Sequence, residues 1–148
     1  MIIEAKETEA MILSNIALVS KGYWGYSKEL LNTWIEELTV TPEMIRNCSV
    51  FTFQVEEKIV GFYVLNPPIG KTIELEMLFL MPDCIGKGIG KQLLLHALHL
   101  AKSYECESMN LLADPNALSF YESQGFNVID RKESSVKGRF LPIMQRLL

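Results

Sequence analysis

The chain has 148 residues, a formal charge of −4, 49% apolar residues and 22% charged residues, the balance of a globular domain spanning 1–148 that can bury a full core. With no basic face or arm, nucleic acid is excluded as the main partner, and with no apolar run near the ~18 residues of a membrane span a membrane is excluded too. The three cysteines Cys48, Cys84 and Cys106 form no paired spacing and the opening residues lack a signal-peptide profile, so a reducing cytoplasm is expected and neither a disulfide framework nor a zinc knuckle is indicated.

Ile2–Ala5 reads as a short first strand, and the apolar spacing within Thr8–Ser20 predicts a helix. Gly22-Tyr23-Trp24-Gly25-Tyr26 interrupts it, Ser27 can cap a second helix over Lys28–Leu38, and Pro42 opens a short turn of helix to Asn47. Ser49–Val55 and Lys58–Leu65 read as a hairpin around Glu56-Glu57, and the Pro- and Gly-bearing loop Asn66–Gly70 leads into a strand over Thr72–Leu80. A long helix follows over Gly88–Glu105, with Ile89, Leu93, Ala97, Leu100, Ala101 and Tyr104 on its buried side. Met109–Ala113 is the next strand, Asn116–Ser123 a helix, and Asn127–Glu133 and Phe140–Leu148 the last two strands. That order predicts an α/β (α+β) fold: a mixed sheet of six to seven strands flanked by about four helices.

The most informative segment joins the Thr72–Leu80 strand to the long helix. Gly86, Gly88 and Gly90 leave backbone N–H groups uncovered where the helix begins, and Lys87 and Lys91 add positive charge with no acidic residue before Gln92. Such donors, at the positive end of a helix dipole, suit a phosphate. Two familiar phosphate motifs fail on spacing. An NTPase loop would need Gly at Ile85 and Ser or Thr at Gln92, and a dinucleotide fingerprint would need Gly at Lys91 or at Leu93. The plainer alternative is a glycine-rich turn that binds nothing.

A second segment, Leu111–Phe126, runs from an apolar strand through Asp114-Pro115 into a short helix ending at Gly125-Phe126. Leu80-Met81-Pro82, the Ile85–Gly90 loop and the set Ala117, Phe120, Tyr121, Gly125 and Phe126 stand in order, with the motifs about 30 residues apart. Together they resemble the GNAT superfamily of N-acetyltransferases, over roughly residues 50–130. The resemblance implies a mostly antiparallel, twisted sheet and an acetyl transfer from acetyl-CoA to the amine of a small molecule or an exposed amine, with no metal; it leaves a homodimer open. The coenzyme would lie on residues Ile85, Gly86, Lys87, Gly88, Ile89, Gly90 and Lys91, and its pantetheine on the main chain of Leu78, Phe79 and Leu80. Two positions depart from the pattern: Ile85 replaces Arg or Gln, and Asp114 replaces Asn, with Asn116 close by but out of register; Asp114, Asn116 and Tyr121 are the further coenzyme contacts that the resemblance implies.

Acetyl transfer needs a neutral amine, a stabilised oxyanion and a proton for the departing thiolate. The resemblance assigns the last task to Tyr121; the plainer reading is a ring that only packs. Glu74 and Glu76 flank Leu75 and share one strand face, where mutual repulsion raises a pKa toward that of a base. In members of the family that use a strand glutamate as base, its place corresponds to Glu74; a solvated strand face and a water relay are the alternatives. The oxyanion donor is expected from the backbone near Leu80. Cys84 has no histidine near it in sequence and reads as a bystander thiol, and His96 and His99 read as a solvated helix face. Tyr23, Trp24 and Tyr26 are candidates for an amine pocket through cation–π contact, and Arg139 or Lys137 for an acceptor carboxylate. A non-catalytic acyl-CoA-binding module is the competing function; a nucleotide-binding protein is disfavoured by the glycine spacings.

Overall fold

The computed structural model describes residues 1–148. One seven-stranded sheet is built from β1 (Ile2–Glu4), β2 (Ser49–Val55), β3 (Lys58–Leu65), β4 (Thr72–Leu80), β5 (Ser108–Leu112), β6 (Asn127–Glu133) and β7 (Phe140–Leu147), in the order β1-β2-β3-β4-β5-β7-β6. Five helices flank it: α1 (Ala10–Gly22), α2 (Lys28–Thr33), α3 (Pro42–Asn47), α4 (Ile89–Ser103) and α5 (Leu118–Ser123). Every strand pair is antiparallel except β4–β5. That pair is parallel because α4 carries the chain back across the sheet between them, the only short route to a parallel neighbour. No helix is long and apolar enough to cross a membrane.

The central strand β3 is buried on both faces, and alternation over Phe62–Leu65, with an extra residue at Val60 where Phe53 faces Gly61 and Gln54 faces Ile59, sends side chains to two separate cores. Val60, Tyr63 and Leu65 pack with Leu93, Leu94 and Ala97 of α4, while Ile59, Phe62 and Val64 pack with Leu13, Ile16 and Ala17 of α1. Each fully buried side chain of this size contributes about 1.5–3 kcal/mol.

β4 departs from simple alternation at one residue. Val64 faces Met77 and the next residue, Leu65, faces Leu75, so Glu76 is an extra residue in β4. Such a bulge bends the strand and reverses which side chains point to which face. Ile73 and Leu75 accordingly join the α4-side core, and Met77 joins the α1-side core. Pairing of β4 with β5 stops at Leu75 opposite Leu111, although β4 runs on to Leu80. Beyond the bulge the two strands part and leave a gap in the sheet.

The length of the second helix and the buried face of the long one differ from expectation. The second helix ends at Thr33 rather than Leu38. Thr33 donates its hydroxyl to the Leu30 carbonyl (2.6 Å), and Trp34 leaves helical geometry (φ −102°, ψ 0°), so that residues 34–38 turn and bury Trp34 and Leu38 against α1. On α4 the buried stripe is Ile89, Leu93, Leu94, Ala97, Leu98 and Ala101. Leu100 is half-buried and Tyr104, which lies past the helix end, is exposed and hydrogen-bonds Ser49 (2.9 Å).

Candidate active site

The loop before α4 has the geometry of an anion site. Gly86 and Gly88 adopt left-handed backbone conformations (φ +84° and +80°), and a side chain at either would enter open space. Glycine is used here for its backbone freedom, with the surface left clear for a ligand. Gly88 is the N-cap of α4 and no side chain caps the helix; its first intrahelical bond is from Gln92 N–H to the Gly88 carbonyl (3.1 Å). The N–H groups of Ile89, Gly90 and Lys91 therefore have no partner within the helix. At Gly90 a Cβ would meet ordinary contacts, 3.4 Å from Leu80 Cδ1 and 3.5 Å from Phe120 Cζ, so the start of α4, the end of β4 and α5 converge at this point.

The gap between β4 and β5 begins where that convergence ends. Met81 N–H donates to the Val60 carbonyl (2.7 Å), and the antiparallel pairing alternates back from it, so residues 79 and 77 also bond toward β3. The N–H groups of Leu78 and Leu80 consequently point away from β3, into the gap. The Glu76 bulge is what frees them: it ends the β5 pairing while β4 stays registered on β3.

On the other side of the gap lies a cavity of about 550 Å³. Glu74 and Glu76 line it, held side by side by Asn66, whose Nδ2 donates to Glu74 Oε1 (2.7 Å) and Glu76 Oε2 (3.0 Å). The shared face expected for these carboxylates is thus present in the fold. Burial first, and then the neighbouring Glu76 charge, pushes the Glu74 carboxyl above its ordinary range.

The rest of the lining is of mixed charge, with Lys21, Lys132 and Arg139 against Glu37, Asp114 and Glu133. Asp114 accepts a salt bridge from Lys21, hydrogen bonds from Tyr26 Oη (3.1 Å) and Asn116 N–H (2.8 Å), and a longer contact from Arg139 Nη2 (3.5 Å). Arg139 also donates to Tyr26 Oη (2.9 Å), and Asn116 Nδ2 to the same oxygen (3.0 Å). Burial raises the Asp114 carboxyl, but the hydrogen bonds from Lys21 and Asn116 and the Lys21 charge outweigh it and hold the group below its ordinary value. Asp114 and Asn116, expected on the coenzyme, are engaged in this cluster instead. Trp34 completes it, with Lys21 Nζ 5.1 Å and the Arg139 guanidinium 4.9 Å from its ring, and its indole donates to Ser135 Oγ (3.2 Å).

Of the aromatic residues expected to line an acceptor pocket, only Tyr26 joins this cluster. Tyr23 and Trp24 are 53% and 40% exposed, pack edge-on against each other and lie outside the cavity lining. They sit past the end of α1 where the chain turns at Gly25 (φ +83°), which aims them at solvent. Arg139 does line the cavity. Lys21, Trp34 and Ser135 were not anticipated: they come from positions that read as helix face or hairpin turn, and only an aspartate in place of asparagine at position 114 hints that cations are needed nearby.

Tyr121 is buried, its ring edge-on to Phe120 (5.1 Å) and Phe126 (5.7 Å), in the same cluster as Leu75, Ile89, Leu111 and Ala113. Burial raises its phenol well above the ordinary value, so the group keeps its proton near neutral pH. Cys84 is buried and its thiol is pushed up by burial and then by Asp83, which argues against a thiolate nucleophile. His96 is not a solvated residue: it is half-buried, bonded through Nδ1 to Tyr63 Oη (2.7 Å) and packed on Phe51 (4.7 Å), and burial lowers its pKa.

Comparison with known proteins agrees with this geometry. A model of the acetyltransferase (GNAT) family matches residues 18–126. The peptidyl-lysine N-acetyltransferase YjaB of Salmonella typhimurium is 27% identical over 131 residues, which cover 79% of this chain and 88% of that protein. The PaiA N-acetyltransferase of Thermoplasma acidophilum, solved in complex with coenzyme A, superposes with a TM-score of 0.82 at 25% identity over 100% of this chain and 98% of that one. The ribosomal-protein-S18-alanine N-acetyltransferase of Escherichia coli is similar in fold, with a TM-score of 0.74 at 18% identity over 99% and 92% of the two chains.

Proposed function

The chain belongs to the acetyltransferase (GNAT) family and is an acyltransferase, and on that premise we propose that it transfers the acetyl group of acetyl-CoA directly to a primary amine. The observation that carries this reading is the gap between β4 and β5, with uncapped glycine-loop donors at one side and a carboxylate-lined cavity at the other. The loop suits the pyrophosphate of coenzyme A: left-handed Gly86 and Gly88 open the surface, and the Ile89–Lys91 N–H groups provide donors. Ile85 lacks a polar side chain, so these backbone donors hold the phosphates without it.

Acetyl-CoA supplies a thioester whose carbonyl carbon the amine attacks. Glu74 takes the proton from the incoming ammonium, a task that its raised pKa suits. The Leu78 and Leu80 N–H groups face the gap and are placed to stabilise negative charge on the carbonyl oxygen. As the carbon–sulfur bond breaks, Tyr121 gives its proton to the sulfur, and the proton that the nitrogen sheds on becoming an amide is released to solvent, from which the phenol is reprotonated. Glu76 shares Asn66 with Glu74 and keeps the base's pKa high through its charge.

The test is a thiol-release assay with acetyl-CoA across a library of amines, run on the parent and on Tyr121→Phe. A positioned general acid contributes about 10²–10⁴-fold, so Tyr121→Phe is expected to lose kcat by that order with acetyl-CoA affinity nearly unchanged. Full activity with an unaltered pH profile would reduce Tyr121 to a packing residue, and no thiol release with any amine would sink the reading as a whole.

A further inference from the structure

Besides Glu74 and Glu76, the cavity lining holds two cations in direct contact with one carboxylate, with Glu37, Lys132 and Glu133 also in the wall. Asp114 is a single carboxylate facing two cations, Lys21 and Arg139, whose side chains are only 14% and 18% exposed. Cations withdrawn from water to this degree gain from a further anionic partner, and because no fully buried polar side-chain atom lacks a partner, their free donors reach solvent. Their remaining donors have no partner in the protein: Lys21 Nζ bonds Asp114 alone, and Arg139 uses only Nη2, leaving Nη1 and Nε. Ser135 Oγ accepts from Trp34, so its own proton is available as well. Lys21, Arg139 and Ser135 all line the cavity that Glu74 and Glu76 also line.

Resting on the acetyl-transfer reading above, we propose that the acceptor is a small zwitterion of the amino-acid class, its carboxylate bound by Arg139, Lys21 and Ser135 and its amine facing Glu74. An Arg fork next to a hydroxyl matches the planar two-oxygen geometry of a carboxylate. Asp114 has a positioning part: it holds the two cations at the cavity wall. Trp34, lying against both cations, sets the floor on which they rest.

The experiment compares acceptors that differ only by the carboxylate: lysine against cadaverine and ornithine against putrescine, with an internal lysine of a blocked peptide as a third arm. Thiol release is expected to favour the amino acid over its decarboxylated partner by at least 10-fold in kcat/KM. Arg139→Gln, which keeps a donor toward Tyr26, and Lys21→Met, which keeps length over Trp34, should each raise KM for the amino acid on the order of 10- to 100-fold, as expected when one charge-assisted hydrogen bond is lost. KM for the diamine should move far less. Retention of the coenzyme A melting shift in each variant shows that it is folded, and if neither folds the parent's preference still decides. Equal or better turnover of the diamines, preference for the peptide lysine, or no turnover of any amino acid overturns the zwitterion. In the first two outcomes acetyl transfer itself stands; only absence of thiol release with every amine removes both.

Discussion

Glu74 and Asp114 are both carboxylates at the rim of one cavity, and their surroundings push them in opposite directions. Glu74 has burial and the Glu76 charge against ionisation, with Asn66 as its partial compensation. Its basic form is therefore lost as pH falls through a value above the ordinary 4.5, and kcat/KM of the parent is expected to fall with it. In Glu74→Gln the amine must arrive already neutral, so the activity deficit should shrink as pH rises and free amine accumulates; a deficit constant across pH would remove Glu74 as base. Asp114 is the reverse case. Its folded pKa lies below the ordinary 3.8, so its stabilisation is fully present above that value and is lost as pH falls through the lowered one. Asp114→Asn leaves Lys21 and Arg139 unpaired and is expected to lower stability by about 2–3 kcal/mol at neutral pH, less than for a wholly buried pair because the cluster touches solvent. Urea denaturation at pH 7 and at pH 3 checks the sign: the gap between variant and parent should narrow in acid.

At the scale of elements, α4 and β4 carry the argument. Gly88→Asp sets a negative charge at the uncapped start of α4 and a side chain in a left-handed position, which costs roughly 1–2 kcal/mol for an ordinary residue. It is expected to abolish the melting shift with coenzyme A while leaving a folded protein, because nothing lies within 4 Å of the added Cβ. Retention of the parent's affinity would place the phosphate loop elsewhere. The glycine turn that opens α4 was legible in the sequence because glycine spacing and helix start are local signals, and so was the common face of Glu74 and Glu76, which needs only alternation. The bulge at Glu76 was not, since it is defined by which residues of β3 stand opposite, and nothing in β4 alone breaks the pattern. The second helix was read too long because Trp34 and Leu38 fit helical spacing yet bury better from a turn. The Lys21–Tyr26–Asp114–Arg139 cluster was the least legible: its contacts span up to 113 positions, and each member looks locally like a helix end, a loop or a hairpin turn.

For the whole molecule, the decisive feature is the seam between β4 and β5. The strands β1 to β4 form one block and β5, β7 and β6 another, joined in the sheet by only four paired positions, Thr72–Leu75 with Ser108–Leu111. α4 spans the seam from one core face, and the Lys21–Asp114–Arg139 cluster ties α1 to the end of β5 and the β6–β7 turn from the other. A ligand held by the Gly86–Lys91 donors and by the Leu78 and Leu80 N–H groups would bridge the open part of the seam, so its binding should be felt as global stabilisation rather than local ordering. At ~100 times its Kd a ligand adds about 2.7 kcal/mol. Coenzyme A or acetyl-CoA is therefore expected to raise Tm clearly, and hydrogen exchange should slow in β4 and β5 together. ATP and NAD should do neither, because the loop lacks the Ser or Thr of an NTPase and the third glycine of a dinucleotide site. No shift with saturating coenzyme A, or an equal shift with NAD, would mean that the opening between β4 and β5 serves some other ligand.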